Sequence, residues 1–310
     1  MALIYPIGGG KGGVGKSFVT ANLGVLLANQ GYSVAIVDLD LGGSNLHTFF
    51  GLNKSKNGIN RFLNQDCKTL EETAEPTAVN NLFIINSFNS QLGISNLFSA
   101  QKLKIINAIQ KLPFDFVLLD LGAGTNYNTI DFFLSSDKGM FVCIPEPTSI
   151  ENTFRFINAV YLRKLQHLLK QRAFNAIVLE LSNGSKNAVI KAYDIVHSVI
   201  RENPQKGEKL KSQLDKLEFK FVINQFRKSV DKTIGFKIEK TCNRHFYSRF
   251  QFLGNISYDE RVHNSVVART VYMEKYAYTL TAIDLLNIAK KLTGVEQSTV
   301  RVTEDCYETV

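Results

Sequence analysis

No run of about 18 uninterrupted apolar residues occurs in the 310 residues, so no transmembrane helix is expected. The opening Met1-Ala2-Leu3-Ile4-Tyr5-Pro6-Ile7 lacks both a basic lead and a long apolar core, which argues against a secretory signal. Cysteine is sparse. Cys67, Cys143, Cys242 and Cys306 are scattered with no C-x-x-C pair, so neither a disulfide framework nor a local zinc site has support. Reduced thiols in the cytoplasm are the expectation. No internal repeat is visible, no linker divides the chain, and no block of five or six like charges occurs. What is present is ordinary: 45% hydrophobic and 21% charged residues. That balance excludes a wholly disordered chain, a collagen-like chain and a coiled-coil rod.

Charge is unevenly placed. Residues 1–150 hold 10 Lys/Arg against 11 Asp/Glu, whereas residues 151–310 hold 26 against 17. The second half is a candidate surface for non-specific DNA, a membrane or an acidic partner, set against the plainer reading of a solvated lysine-rich face.

The first half alternates strand-like and helix-like segments. Strands are predicted at Ala2–Ile7, Ser33–Asp38, Leu82–Asn86, Phe114–Asp120 and Gly139–Ile144, and later at Glu218–Asn224 and Gln251–Ile256. Helical spacing covers Ser17–Asn29, Ala100–Lys111, Ser149–Lys170 and Tyr278–Leu292, with a helical stretch over Asn187–Lys216 broken near Asn203-Pro204. Runs such as Phe116-Val117-Leu118-Leu119 read as parallel strands covered on both faces. The pattern predicts an α/β fold: a doubly wound, mostly parallel sheet with helices on both faces and a helical elaboration around 165–217. Residues 1–292 read as a single domain and 293–310 as a polar tail.

The strongest motif is Gly10-Lys11-Gly12-Gly13-Val14-Gly15-Lys16-Ser17. It fits G-x-x-x-x-G-K-[ST] between a strand and a helix, the context a phosphate-binding loop needs. Glycines let the backbone wrap so that successive N–H groups face phosphate oxygens, and the helix adds its positive N-terminus. Lys16 would neutralise β- and γ-phosphate charge, and Ser17 would place its hydroxyl on Mg²⁺. Lys11 is an extra cation, poorly placed for its own γ-phosphate. The strand Val34-Ala35-Ile36-Val37 ends in Asp38-Leu39-Asp40, carboxylates where open α/β sheets bind ligands. Phe116-Val117-Leu118-Leu119-Asp120 matches a Walker B strand, whose carboxylate holds Mg²⁺ through water. Pro145-Glu146-Pro147 reads as a turn into a helix capped by Thr148 or Ser149.

The loop resembles the deviant Walker A motif of the MinD/ParA ATPases, and Gly122-Ala123-Gly124 after Asp120, with the Pro-Glu-Pro turn, resembles the FlhG/FleN branch that regulates flagellar number and placement. The resemblance implies a P-loop NTPase fold, ATP and Mg²⁺ as cofactors, and a nucleotide-sandwich homodimer. Lys11 would then reach the partner's phosphates. Asp38 would lie near the Mg²⁺ shell with Ser17 and Asp120, and Asp40 would orient the attacking water. Gly10, Gly12, Gly13, Val14, Gly15, Lys16, Ser17 and Phe18 would cradle the nucleotide. Asn224 would meet the adenine edge, Arg227 would sit beside it, and the loop carrying Ser257 and Asp259 would flank it.

The expected function is a slow, dimerising Mg-ATPase acting as a spatial or regulatory switch through a protein partner. The alternative is an ATP-liganded module that regulates a transcription factor or DNA with little turnover. An iron–sulfur relative would need a cysteine soon after Asp120, and residues 121–136 hold none. A tyrosine autokinase would need a tyrosine-rich tail, and after Tyr278 only Tyr307 occurs. The polar face of the last helix, Asp284, Asn287, Lys290 and Lys291, has only two cations, and the tail carries Glu296, Glu304, Asp305 and Glu308 against Arg301. No autonomous C-terminal membrane anchor is therefore expected.

Overall fold

In a computed structural model the described residues are 2–40, 43, 45–53, 57–87, 97–182 and 190–294. The chain opens with β1 (Leu3–Gly8), α1 (Lys16–Asn29), β2 (Val34–Leu39) and the short helices α2 (Leu46–Phe49) and α3 (Ile59–Leu63). A 3-10 turn (Glu71–Thr73) leads to β3 (Glu75–Pro76) and β4 (Leu82–Ile85). Then come α4 (Ser99–Ile109), β5 (Phe116–Leu121), α5 (Tyr127–Phe133), β6 (Lys138–Cys143) and the long α6 (Pro147–Leu169). Three helices follow, α7 (Gln171–Leu181), α8 (Ala192–Glu202) and α9 (Pro204–Leu214). The chain continues through β7 (Glu218–Phe226), α10 (Ile234–His245), β8 (Arg249–Ser257), α11 (Arg261–Val267), α12 (Tyr272–Lys275) and α13 (Leu280–Thr293).

The strands form one sheet in the order β3-β4-β2-β5-β1-β6-β7-β8. Every pairing is parallel except β3 with β4. Seven strands are legible as apolar runs. The eighth, β3, is a two-residue edge strand containing Pro76, too short for any pattern. Each strand divides its side chains between two cores because successive residues face opposite ways. Val34 and Ile36 of β2 join Phe116 and Leu118 of β5 under α1 and α13. Ala35 and Val37 of β2, with Val117, Leu119 and Leu121 of β5, belong to the opposite core with α4, α5 and α6. By the same alternation Asp38 and Asp120 lie on the α1 side of the sheet.

Three boundaries differ from the sequence reading, each for a local reason. The helix expected over 149–170 begins at Pro147, with Glu146 as the residue before its first turn, so Thr148 and Ser149 do not cap it. Proline suits that first position because its missing N–H has no helical partner there, and the Ser149 hydroxyl instead accepts from the Ile144 N–H at 3.1 Å. The same helix ends at Leu169 because Lys170 takes a positive φ of 64°, and α7 starts afresh beyond it. The last helix starts at Leu280, where the Thr279 side chain accepts from the Ala282 N–H. The break at Asn203-Pro204 falls between α8 and α9 as expected, with Asn203 capping the Lys206 N–H. The polar tail from residue 295, with its acidic excess, lies outside the described residues, as do Leu41, Gly42 and Ser44 of the loop after Asp40. Among the described residues no helix is long and apolar enough to cross a membrane.

Candidate nucleotide site

The loop between β1 and α1 is shaped by its glycines. Gly13 and Gly15 take positive φ of 76° and 89°, a conformation that side chains disfavour. A Cβ on Gly10 would lie 2.0 Å from the Asn152 carbonyl oxygen, so α6 presses directly on the loop. Gly12 and Gly13 form a turn, and among the described residues no backbone N–H of residues 10 to 13 donates to another backbone group. A row of unpartnered N–H groups at a helix N-terminus is the arrangement that phosphate oxygens satisfy.

Lys16 begins α1 and is 8% exposed. Burial pulls its ammonium below the ordinary lysine range, opposed by Asp120 and Asp40. Opposite it, β2 and β5 pair so that Asp38 and Asp120 stand in register on neighbouring strands. Both are buried. Burial first, and then the neighbouring Asp38, pushes the Asp120 carboxyl up to about 7, while Ser17, Lys16 and Thr20 act against the shift. The Thr20 hydroxyl lies 3.2 Å from Asp120 Oδ1 and 2.9 Å from the Lys16 carbonyl oxygen. Asp38 accepts from the Asp40 N–H at 3.0 Å and from the Leu46 N–H at 3.4 Å, which holds the start of the following loop. Asp40 is half-buried, and a Cβ on Gly122 would approach its Oδ1 to 3.1 Å. The segment after Asp120 thus runs against the segment after Asp38.

Asp38 and Asp120 are thus two buried carboxylates side by side, with Lys16 acting on Asp120 from the head of α1. Among the described residues no group of three or more His, Cys, Asp or Glu could hold a metal alone. The donor set therefore fits Mg²⁺, a hard cation that keeps waters and takes the rest of its shell from phosphate oxygens. It does not fit a closed structural metal site.

The family model of the CobQ/CobB/MinD/ParA nucleotide binding domain matches residues 6–269. The chain belongs to this family. Among curated relatives, it is 30% identical to the septum site-determining protein MinD of Helicobacter pylori over 161 residues, 52% of this chain and 59% of that protein. It is 32% identical to the flagellum site-determining protein YlxH of the same organism over 150 residues, 48% of this chain and 50% of that protein. The matches therefore span little more than half the length of these relatives. Among solved structures, MinD of Pyrococcus horikoshii complexed with Mg-ADP superposes with a TM-score of 0.63 at 20% identity, covering 96% of this chain and all of that one. A plasmid partition protein of Borrelia burgdorferi bound to AMPPNP gives 0.62 at 19% identity, covering 96% and 100%. At these identities the structures establish the shared fold.

Within this MinD/ParA-type frame, the remaining expected residues fall in three places. Lys11 is half-exposed at the loop's start and pairs with Glu146 of the Pro-Glu-Pro turn at 3.0 Å. Val14 and Phe18 point into the core beneath α1, whereas Ser17 faces Asp120. Asn224, at the carboxyl end of β7, donates from Nδ2 to the Val14 carbonyl at 2.9 Å, and Gln225 donates to the Gly13 carbonyl at 3.2 Å. These two residues tie β7 to the loop. Arg227 stacks its guanidinium 3.9 Å from the centre of the Tyr258 ring. The Ser257 N–H donates to Asp284 of α13, and Asp259 accepts from Arg261 and from the Tyr272 hydroxyl. Asp259 is thus turned toward α11 and α12.

Sequence reasoning missed Thr20, Gln225 and Glu146 as members of this constellation. Thr20 sits one helical turn beyond Lys16, so the period of α1 was a usable signal. The other two act across 135 and 212 positions of sequence, which no local pattern reveals.

Proposed function

We propose that this chain is a Mg-ATP-dependent switch: a single domain over residues 1–292 that binds Mg-ATP, pairs face to face with a second copy, engages a protein partner in that state and hydrolyses slowly. The observation that carries the reading is the in-register, buried Asp38–Asp120 pair opposite Lys16 at the head of the glycine loop. Lys16 and the free N–H groups of the loop would bind the β- and γ-phosphates. Ser17, Asp120 and Asp38 would hold Mg²⁺, which supplies neutralisation of phosphate charge when bound. Asp40 would orient the attacking water. Lys11, the deviant lysine, would leave Glu146 and act on the phosphates of the second copy. Asn224 and Arg227 would border the base with Ser257, and Asp259 would fix the loop that flanks it. The named roles of the relatives, in septum, flagellum and plasmid positioning, support a spatial or regulatory task. The cytoplasm is the proposed compartment, with recruitment to a surface by a partner, and the basic second half is the part that would meet DNA.

Sedimentation and phosphate release, each with and without Mg-ATP, test this together. Wild type should dimerise only with Mg-ATP. Lys16→Ala should lose nucleotide affinity by about thirtyfold or more, since truncating one side of a buried charge contact costs ~2–5 kcal/mol. Lys11→Ala should keep binding and lose the dimer. Asp40→Ala should dimerise and lose about two to four orders of magnitude in turnover. A wild type that stays monomeric overturns the switch. Turnover in wild type no faster than in Asp40→Ala would instead favour the ATP-liganded regulatory module.

A further inference from the structure

On the opposite face of the sheet from Lys16, a groove of about 590 Å³ runs between α4 and the segment that joins α3 to the 3-10 turn. It shares no lining residue with the nucleotide site. Its floor is Phe62, Leu70 and Leu112, all buried. Its wall is one side of α4 and the turn after it: Ala100, Leu103, Lys104, Asn107 and Ala108 follow the three-and-four spacing of a single helix face, and Lys111 lies just beyond the helix end. At about 1.5 Å per residue the helical part of this wall is ~12 Å long, about two and a half turns. Leu103 stands 58% exposed on it. α4 sends Ile105 and Ile109 into the core, so Leu103 is a large apolar side chain on the groove side that the core does not take up.

The rim is basic. Lys68 and Lys111 are exposed and make no ion pair among the described residues. Lys104 lies across the floor, 4.7 Å from the centre of the Phe62 ring, and donates to the Phe62 and Leu63 carbonyls. It thus brings a third positive charge into the groove. Glu71 is the single acid in the lining.

We infer that this groove binds an amphipathic helix of a protein partner, with apolar residues along one face and acidic residues flanking them. The lining selects a helix, because an apolar floor beside one helix face suits apolar anchors at i, i+3, i+4 and i+7. Charge selects its flanks, because three lysines against one glutamate repel a basic helix and steer an acidic one. The inference is independent of the nucleotide reading, since the groove and the nucleotide site share no lining residue.

The probe is a labelled synthetic helix carrying leucines at that spacing between glutamates. Its counterpart has the same leucines between lysines. Fluorescence anisotropy with the full chain should show the acidic peptide binding and the basic peptide failing. A photoreactive group on the acidic peptide should crosslink to α4. Lys68→Glu with Lys111→Glu, both surface changes, should weaken the acidic peptide by about tenfold or more and admit the basic one. Leu103→Asp should weaken it similarly while circular dichroism stays unchanged, as expected of a central apolar anchor. Equal binding of both peptides, no binding of either, or crosslinks away from α4 would overturn the inference. So would an anionic detergent filling the groove where the acidic peptide does not bind, or self-association that Leu103→Asp abolishes without any peptide binding.

Discussion

Two aspartates with buried side chains have opposite fates. Asp120 at the end of β5 meets a second carboxylate across the strand pair, and its pKa rises to about 7. Asp131 in α5 meets cations. Arg163 of α6 reaches it through two nitrogens, at 2.6 and 2.9 Å, and Lys102 of α4 contacts it from the other side. Burial alone would raise the Asp131 pKa, but Arg163 and Lys102 overcome it and hold the carboxyl below its ordinary value. One acid is paired with cations of neighbouring helices, while the other faces a second carboxylate and is only partly relieved by Lys16, Ser17 and Thr20. The paired acid joins three helices. The strained one lies in the candidate site, as strongly perturbed carboxylates in functional clefts do.

The largest effect should come from breaking the paired cluster. Asp131→Ala leaves Arg163 and Lys102 without their shared partner. Removing one side of a buried pair costs ~3–5 kcal/mol, and some solvent access at Arg163 brings the expected loss to about 2–4 kcal/mol. Urea titration of the two proteins measures it. Because the folded pKa is depressed, this contribution is full above the ordinary carboxylate range and is lost as pH falls through the folded value. The gap between wild type and Asp131→Ala should therefore narrow on acidification. A variant as stable as wild type at pH 7 would show that the cluster is not a structural anchor.

Relieving the strained acid should do the reverse on a smaller scale. In protein kept free of metal and nucleotide, the unfolded Asp120 ionises near pH 4 while the folded carboxyl holds its proton to about 7. Stability should accordingly decline as pH rises from about 4 to about 7 and then level off. Asp120→Asn keeps an acceptor for Thr20 and removes the charge. It should gain on the order of 1–3 kcal/mol at pH 8 and almost nothing at pH 4. Thermal melts in a chelating buffer at both pH values test the sign. The same variant should lose the stabilisation that Mg-ATP gives wild type. A variant less stable than wild type at pH 8 would mean that Asp120 is held by contacts worth more than its repulsion from Asp38.

The two acids were not equally legible in the sequence. Asp120 was found because four apolar residues precede it and a glycine-rich loop lies far upstream, both local patterns with a chemical reason. Most of the sheet was legible for the same reason: buried parallel strands are short apolar runs. Asp131 was passed over because its partners sit 29 residues before and 32 after it, on other helices. The groove beside α4 was equally hidden. Its wall has a helical period, but a helix with two apolar faces reads in sequence as one broad face. The tie from Asn224 to Val14 spans 210 positions, so the strand was visible while its grip on the loop was not.

The pair of Lys11 with Glu146 completes the comparison by removing burial. Its geometry is as good as that of the buried contacts, with 3.0 Å between Nζ and Oε2. Yet the two side chains are 38% and 55% exposed, so water competes for both charges and salt screens them. Exposed pairs of this kind contribute ~0–1 kcal/mol. Glu146 also precedes α6 through its backbone, which accepts from the Ile150 N–H, and a change of side chain leaves that bond in place. Glu146→Gln should therefore alter stability by less than about 0.5 kcal/mol in the same urea titration that registers Asp131→Ala. A loss of about 2 kcal/mol or more, well above the ~0–1 range for exposed pairs, would mean that pairing geometry rather than burial sets the strength of these contacts.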